Sequence, residues 1–500
     1  MKVLLINANT FKQPWPVIPF GLCCVAAYLE QAGYHVEVLD LCFAKDPPAA
    51  IRAAIADISP NVIGISVRNI DNSVGFNTEF LLERTKGQVI DPCKEAFDGP
   101  IVIGGPAVGI NGREILEYFD LPFAIAGDGE HAMVAFLRNL QDQGPMEKTP
   151  GLIWRMPEGL LVENPPCRVP DLNTLPLADP SRYINLRPYL RHNSPLQVQT
   201  KRGCALRCVY CTYNRIEGQA YRLKSPEKVA DEIAMLVKRT GIRTVEFTDS
   251  TFNIPSAHAK AVLKALIARR LSLQLRTMGL NPGAVDAELV DLMKRAGFTE
   301  VDVGAESGCD RMLKALGKNF TKRDIFKTGE LLRKASIPAT WYLLLGAPGE
   351  TVDTLRETFE TMDQVASPWD LVNVAVGMRV YRGSPLGDTI RDRHPETAAA
   401  TRNFLFPAQL PESYAVDVKT IKDKTKRQAL KKPNYYMYDE DEKTPLWVLR
   451  TVSAIIRHLQ LKQPLWRSFI LLRKIEKFVG YSTLRRFHYE RQRTASAKCP

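Results

Sequence analysis

The sequence predicts an α/β protein. A doubly wound N-terminal domain covers residues 1–142, a Pro-rich linker 143–194, a partial (β/α)6 barrel 195–386, and a helical, basic region 387–500. Three observations predict it. Short apolar runs alternate with helix-patterned stretches before residue 142 and again after residue 195. Ten prolines between 145 and 195 separate the two alternations. Charge is concentrated at the end of the chain: 20 Lys and Arg against 7 Asp and Glu lie between 419 and 498, which accounts for the whole net charge of +12.

In the first unit, residues 3–6, 36–41, 62–67, 101–103 and 123–126 are short apolar runs of the kind that form strands buried on both faces. Helical spacing fills 20–32, ending at Gly33, and recurs at 49–58, 113–119 and 130–139. This alternation gives a Rossmann-like parallel sheet, whose ligands bind outside the carboxyl ends of the strands. Gly104-Gly105-Pro106 and Gly127-Asp128-Gly129-Glu130 follow two of the strands, and such turns let backbone approach a bulky ligand or a phosphate. The linker carries a small hairpin around 151–162. Strands at 196–200, 244–248, 273–277, 301–304, 339–345 and 371–378 then alternate with helices at 226–240, 256–270, 287–296, 322–335 and 351–365. Six such units place a site at the strand C-termini.

Composition narrows the function classes. A 45% hydrophobic fraction excludes a disordered chain, and ten Cys in 500 residues exclude a disulfide-stapled secreted domain. The apolar run at the N-terminus is too short for a signal peptide, and no apolar stretch reaches the roughly 20 residues that span a bilayer. The expected compartment is the cytoplasm, where thiols stay reduced and clustered Cys point to metals.

Cys204, Cys208 and Cys211 form that cluster, in a loop directly after the first barrel strand. Three thiols without a nearby His do not complete a zinc site. They suit a [4Fe–4S] cluster with three irons held by protein and one left open for a ligand bearing an amine and a carboxylate. Cys23, Cys24, Cys42, Cys93, Cys167, Cys309 and Cys499 are expected to be structural.

This motif, with Tyr210 as the aromatic before the last Cys, resembles that of the radical S-adenosylmethionine (SAM) superfamily. Further matching segments follow in order at 244–252, 303–308, 345–351 and 381–386. The resemblance covers about 195–386 and implies that Tyr210, Glu306 and Ser307 contact SAM, although Ser307 also fits a helix N-cap. Asp249, in the acidic turn of the second strand, is either a cap at Thr251 or a ligand contact.

The N-terminal unit resembles the cobalamin-binding domain fused ahead of such barrels. Ile18-Pro19-Phe20-Gly21, the helix after it, and the two Gly-rich turns carry the match. The resemblance implies corrinoid contacts from Gly104, Gly105, Gly127, Asp128, Gly129 and Glu130. The Asp-x-His-x-x-Gly segment that ligates cobalt in many relatives is missing, so cobalamin is expected base-off without a protein His. Arg68 is placed to face the corrin's lower side, where a cation disfavours an axial donor, or else to contact a propionamide.

Together these resemblances imply a cobalamin-dependent radical SAM methyltransferase acting on an unactivated carbon or a phosphorus of a small-molecule or peptide substrate, by radical or polar methylation. A one-electron donor such as flavodoxin or ferredoxin is its expected partner. Cyclisation, rearrangement or oxidation on the same cofactors is the alternative. The basic, aromatic-rich stretch 446–479 reads as amphipathic helices covering the barrel or touching a membrane surface, and nucleic acid is not an expected partner. Residues 419–432 read as a solvated loop.

Overall fold

The computed structural model describes residues 1–12, 15–73, 78–408, 410, 417–437, and 464, 466, 467, 470, 471, 473 and 474. The first seven strands are β1 (Lys2–Asn7), β2 (His35–Asp40), β3 (Val62–Ser66), β4 (Ile101–Gly104), β5 (Phe123–Ile125), β6 (Leu152–Arg155) and β7 (Leu161–Glu163). They form one sheet in the order β2-β1-β3-β4-β5-β6-β7. The first five pair in parallel, and β6 and β7 add antiparallel. The linker hairpin is therefore the edge of this sheet. Alternation along β1 shows why both faces are covered: Leu4 and Ile6 join one core with Ile51, Ile55 and Ile115, while Val3 and Leu5 join another with Leu22, Leu29 and Phe136.

The barrel strands are β8 (Leu196–Val198), β9 (Lys201–Arg202), β10 (Arg222–Leu223), β11 (Thr244–Phe247), β12 (Gln274–Thr277), β13 (Val301–Glu306), β14 (Ala339–Leu345), β15 (Leu371–Val376) and β16 (Tyr435–Met437). Parallel pairing runs β8-β11-β12 and β13-β14-β15-β16, and parallel bridges Leu275–Phe298 and Leu280–Val303 close the seam between β12 and β13. All six expected barrel strands are present. Their outward faces meet the helices in one core containing Val245, Phe247, Leu275, Val303, Trp341 and Val374.

The C-terminal region departs from expectation in two ways. The stretch taken as a solvated loop is a helix, Val418–Lys431, capped by Asp417 and burying Ile421, Thr425 and Ala429. Three small or apolar residues four apart suffice to seat a helix whose other faces are cationic. After it, Tyr435–Met437 adds a seventh parallel strand beside β15, with Tyr435 1% exposed. Most of 446–479, and Cys499, lie outside the described residues. Among the described residues no helix is long and apolar enough to cross a membrane.

Buried ion pairs join the two halves. Arg379 pairs with Asp71 at 2.8 Å, Arg382 with Glu114 at 2.6 Å, and Arg202 with Glu130 at 2.6 Å. Tyr189 also donates to Asp40 at 2.8 Å. These contacts set the strand ends of the sheet against the open end of the barrel.

Candidate functional site

The Cys-bearing loop is closed at its base by the antiparallel β9–β10 pair, with Arg202 opposite Arg222. Gly203 starts it in a left-handed conformation (φ 96°), and a Cβ there would lie 2.0 Å from the Ala220 carbonyl. Within the loop, Val209 donates its N–H to Leu316 (3.1 Å) and accepts one from Leu386 (2.9 Å). Segments from the fourth and sixth strand ends therefore hold the Cys residues. All three thiols are free, Cys204 buried and the other two half-buried. Burial raises Cys208, with Lys318 opposing, and pushes Cys211 up to about 12, with Cys208 and Cys204 adding to the rise. The tight turn, with the Cys211 N–H donating to the Cys208 carbonyl at 3.2 Å, keeps the thiols in one neighbourhood. Among the described residues no three His, Cys, Asp or Glu are arranged around a single metal ion. A cube needs no such convergence, since each thiolate bonds a different iron, so the donor set fits a [4Fe–4S] cluster better than a mononuclear centre.

Next to the thiols lies a triangle of Tyr210, Glu306 and Lys318. The Tyr210 hydroxyl donates to Glu306 Oε1 at 2.8 Å, while Lys318 Nζ donates to the Tyr210 oxygen at 2.9 Å and to Glu306 Oε1 at 3.2 Å. Burial would lower Lys318, but Glu306 and Cys208 outweigh it and raise its pKa. Glu306 sits at φ 60° where β13 slips register after Gly304, a strained position for a residue with a Cβ. The irregularity turns its carboxylate toward the Cys loop. Ser307 is not part of the triangle. It is 1% exposed, and its hydroxyl is shared with Thr358 Oγ1 (2.9 Å) and accepts the Cys309 N–H (3.2 Å).

Asp249 caps nothing at Thr251. Its carboxylate accepts from the Thr200 N–H and hydroxyl and pairs with buried Lys201 at 3.2 Å, tying the first strand end to the second. Cys309 is 3% exposed in an apolar cluster with Met312 and Leu316.

On the sheet side, a crevice at the ends of β1 and β3 is lined by Asn9, Thr10, Arg68, Asn69 and Gln88. Asn9 Nδ2 is buried there without an acceptor. Arg68 is exposed at this crevice yet sufficiently enclosed that desolvation lowers its pKa, with Tyr213 and Glu246 opposing. Tyr213, two residues after Cys211, is 42% exposed. Burial raises its pKa to about 12, with Glu217 and Cys211 adding and Arg68 opposing. It thus stands within electrostatic reach of both the thiols and Arg68.

The Gly-rich turns divide by cause. A Cβ on Gly105 (φ 100°) would meet the Val67 carbonyl at 2.7 Å, and one on Gly127 (φ 98°) the Cys167 carbonyl at 2.3 Å. A Cβ on Gly129 would meet Val25 at 2.9 Å. These glycines answer to the protein's own packing. Gly104 does not: a Cβ there would stand 3.7 Å from the Ile125 carbonyl, an ordinary contact. Asp128 and Glu130, expected as corrinoid contacts, are instead 6% and 2% exposed and paired with Arg222 and Arg202. Their acidity balances two arginines beside the Cys loop, a pairing that adjacent positions in the chain do not reveal. Lys318, Tyr213 and Arg202 carried no sequence signal of their own.

Inside the barrel, neighbouring strands contribute Glu246, Arg276, Asp302, Tyr342 and Asn373. Arg276 pairs with Glu246 at 2.8 Å and Glu300 at 3.2 Å and lies over the Trp15 ring at 4.3 Å. Burial and the charges of Glu300 and Glu246 push Asp302 up to about 8.

Comparison with known proteins agrees with this arrangement. The family model of the radical SAM superfamily matches residues 198–362, and that of the B12 binding domain matches 6–137. The chain is 24% identical over 440 residues to tryptophan 2-C-methyltransferase of Streptomyces laurentii, covering 76% of this chain and 72% of that one. It is 24% identical to cytidylyl-2-hydroxyethylphosphonate methyltransferase of Streptomyces wedmorensis, covering 73% and 77%. The structure of the radical SAM methyltransferase TsrM from Kitasatospora setae, with cobalamin and a [4Fe-4S] cluster bound, superposes with a TM-score of 0.72 at 27% identity, covering 78% of each chain.

Proposed function

We propose that this chain, a member of the radical SAM superfamily with a B12-binding domain ahead of its barrel, moves a methyl group from SAM through cobalamin to an unactivated carbon or a phosphorus of a small-molecule or peptide substrate. The observation that carries this reading is that Arg68, on the strand-end crevice, and Tyr213, two residues after the last Cys of the loop, lie within reach of each other's charge. When bound, the cluster supplies an electron to the sulfonium and cobalamin carries the methyl group.

The residues divide the work of holding and orienting. Cys204, Cys208 and Cys211 hold three irons. Glu306, beside Lys318 and Tyr210, would accept hydrogen bonds from SAM, and Lys318 offsets the negative charge of the thiolates. Ser307 positions this segment through Thr358 and does not touch SAM. Gly104, at the end of β4, meets the corrinoid edge, and Asn9 offers it an amide donor. Arg68, on the strand-end crevice, would offer a bound corrinoid a cation, which disfavours an added donor and favours a nucleophilic metal. Gly105, Gly127, Gly129, Asp128 and Glu130 shape the crevice from behind. The electron comes from an external donor such as flavodoxin or ferredoxin, in the cytoplasm.

Anaerobic reconstitution with iron, sulfide and hydroxocobalamin tests the reading. The optical spectrum should show both an iron–sulfur and a cobalt chromophore, and turnover should enlarge the product by one CH₂ unit. A protein that takes up iron but no cobalamin would overturn methyl transfer and leave only SAM cleavage.

A further inference from the structure

We propose that the barrel lumen takes up a protonated amine of the substrate in an acidic pocket that Glu246 and Asp302 line around Arg276. This names a substrate class for the proposed methyl transfer and rests on that reading. Strand alternation aims the pocket. Glu246, Arg276, Asp302, Tyr342 and Asn373 stand on the neighbouring strands β11 to β15, and the residues beside them, Val245, Leu275, Val303, Trp341 and Val374, face the core under the helices. All five therefore point inward. The lumen is hollow at this level, since Tyr342 is 37% exposed between the buried Trp341 and Leu343. Glu246 lies opposite Arg276 in the ladder, and Arg276 reaches Glu246 at 2.8 Å and Glu300 at 3.2 Å. Asp302 is the next inward position of the chain after Glu300, and the Tyr342 hydroxyl donates to it at 3.4 Å. Tyr342 in turn stands opposite Asn373.

Three carboxyls thus meet one guanidinium. Glu300 is satisfied by Arg276 and by the Trp466 indole N–H at 3.2 Å. The guanidinium also lies over the Trp15 ring at 4.3 Å, and that π face takes up N–H groups the carboxylates leave over. What stays unmatched is acceptor. Glu246 is 2% exposed and its Oε2 is buried with no donor, as is Asn373 Oδ1. Burying an acceptor without a donor is unfavourable, and a charged one more so. Burial, Glu300 and Glu246 push Asp302 up to about 8 against the opposing charge of Arg276, so the pocket holds more negative charge than its guanidinium neutralises. A protonated amine supplies both N–H donors and positive charge. A metal ion is a poorer complement, because among the described residues no three His, Cys, Asp or Glu surround a single point. Asp302 precedes Glu306 by four residues on β13, roughly 13 Å of strand. The amine therefore anchors the end of the substrate remote from the methylated atom.

Calorimetric titration of the full-length, reconstituted protein with phenylbutylammonium, phenylbutanol and phenylbutyrate tests the pocket. The wild type should bind the ammonium at least about tenfold more tightly than the alcohol, and the carboxylate more weakly than either. Asp302→Asn and Glu246→Gln should each weaken ammonium binding about tenfold and leave the alcohol unchanged, a charge-selective loss that a packing defect does not produce. No ammonium binding, an ammonium held no tighter than the alcohol, or either folded variant binding it as the wild type does would overturn the proposal. Should Glu246→Gln fail to fold, the wild-type series and Asp302→Asn decide. Cofactor uptake separates the two readings. An ammonium preference in a protein that takes up no cobalamin supports the pocket and overturns methyl transfer, whereas uptake of both cofactors without the preference overturns the pocket alone.

Discussion

Replacing Arg202 by Met should uncouple the Cys loop from the N-terminal sheet, and its cost can be worked from the contacts. The guanidinium holds Glu130 through two hydrogen bonds (2.6 and 3.1 Å) and approaches Asp128 at 3.4 Å. The side chains are 11%, 3% and 6% exposed. Burial would lower Arg202, yet Glu130 outweighs it and raises the pKa; burial would raise Asp128, yet Arg202 and Arg222 outweigh it and lower the pKa. Met keeps the volume of the stem and leaves Glu130 buried without a cation, which costs about 3–5 kcal/mol. Glu130→Gln should cost less, about 1–2 kcal/mol, because Arg202 retains Asp128 and the amide still accepts. Joining Arg202→Met with Glu130→Met should recover most of the loss, since an apolar pair in place of a buried ion pair is often neutral. Urea unfolding of the cluster-free proteins, read by circular dichroism, gives all three values. The Asp128 contribution is present above the ordinary carboxylate pKa and is lost as pH falls through the lowered one. The wild type should therefore lose its advantage over Arg202→Met on acidification. A cost under about 1 kcal/mol for Arg202→Met, or a double variant weaker than either single one, would refute the reasoning.

Three further outcomes are expected. Cys208→Ala should lose most of its iron on reconstitution and all SAM cleavage, while its circular dichroism spectrum stays that of the wild type, because a half-buried thiol contributes little to packing. Gly104→Ala should fold normally and lose at least tenfold in hydroxocobalamin affinity, whereas Gly105→Ala, with a left-handed backbone and a carbonyl at 2.7 Å, should lower the unfolding temperature. Asp302, with its pKa near 8 in the folded protein, holds a proton there that the unfolded chain has released, so stability falls as pH rises from about 4 to 8 and then levels. Asp302→Asn should be more stable than the wild type by about 1–3 kcal/mol at pH 9 and by less at pH 6, and equal differences at the two pH values would contradict it.

Where a segment carries its own signal, the sequence was enough. β1 is an unbroken apolar run because both faces of its sheet are covered, and distinct segments matching the superfamily follow in order at the ends of the second, fourth, fifth and sixth barrel strands. The helix Val418–Lys431 and the strand Tyr435–Met437 were not legible. The helix hides three buried positions among six Lys and Arg, and the strand is too short to show alternation. Both are stabilised by the barrel they lie against.

The chain by itself determined two α/β units, the Cys spacing that selects an iron–sulfur cube, and the Gly-rich strand ends, because periodicity, ligand spacing and turn chemistry are local properties. Only the tertiary structure decided which charges are spent on holding the halves together and which are left for ligands. Asp128 and Glu130 face Arg222 and Arg202 from another domain, Lys318 reaches Glu306 and Tyr210 from a separate turn, and Gly104, unlike Gly105, Gly127 and Gly129, could carry a Cβ at ordinary contact distance. The energy of a buried charge depends on what lies a few ångströms away in space, and that neighbour is rarely the next residue in the chain.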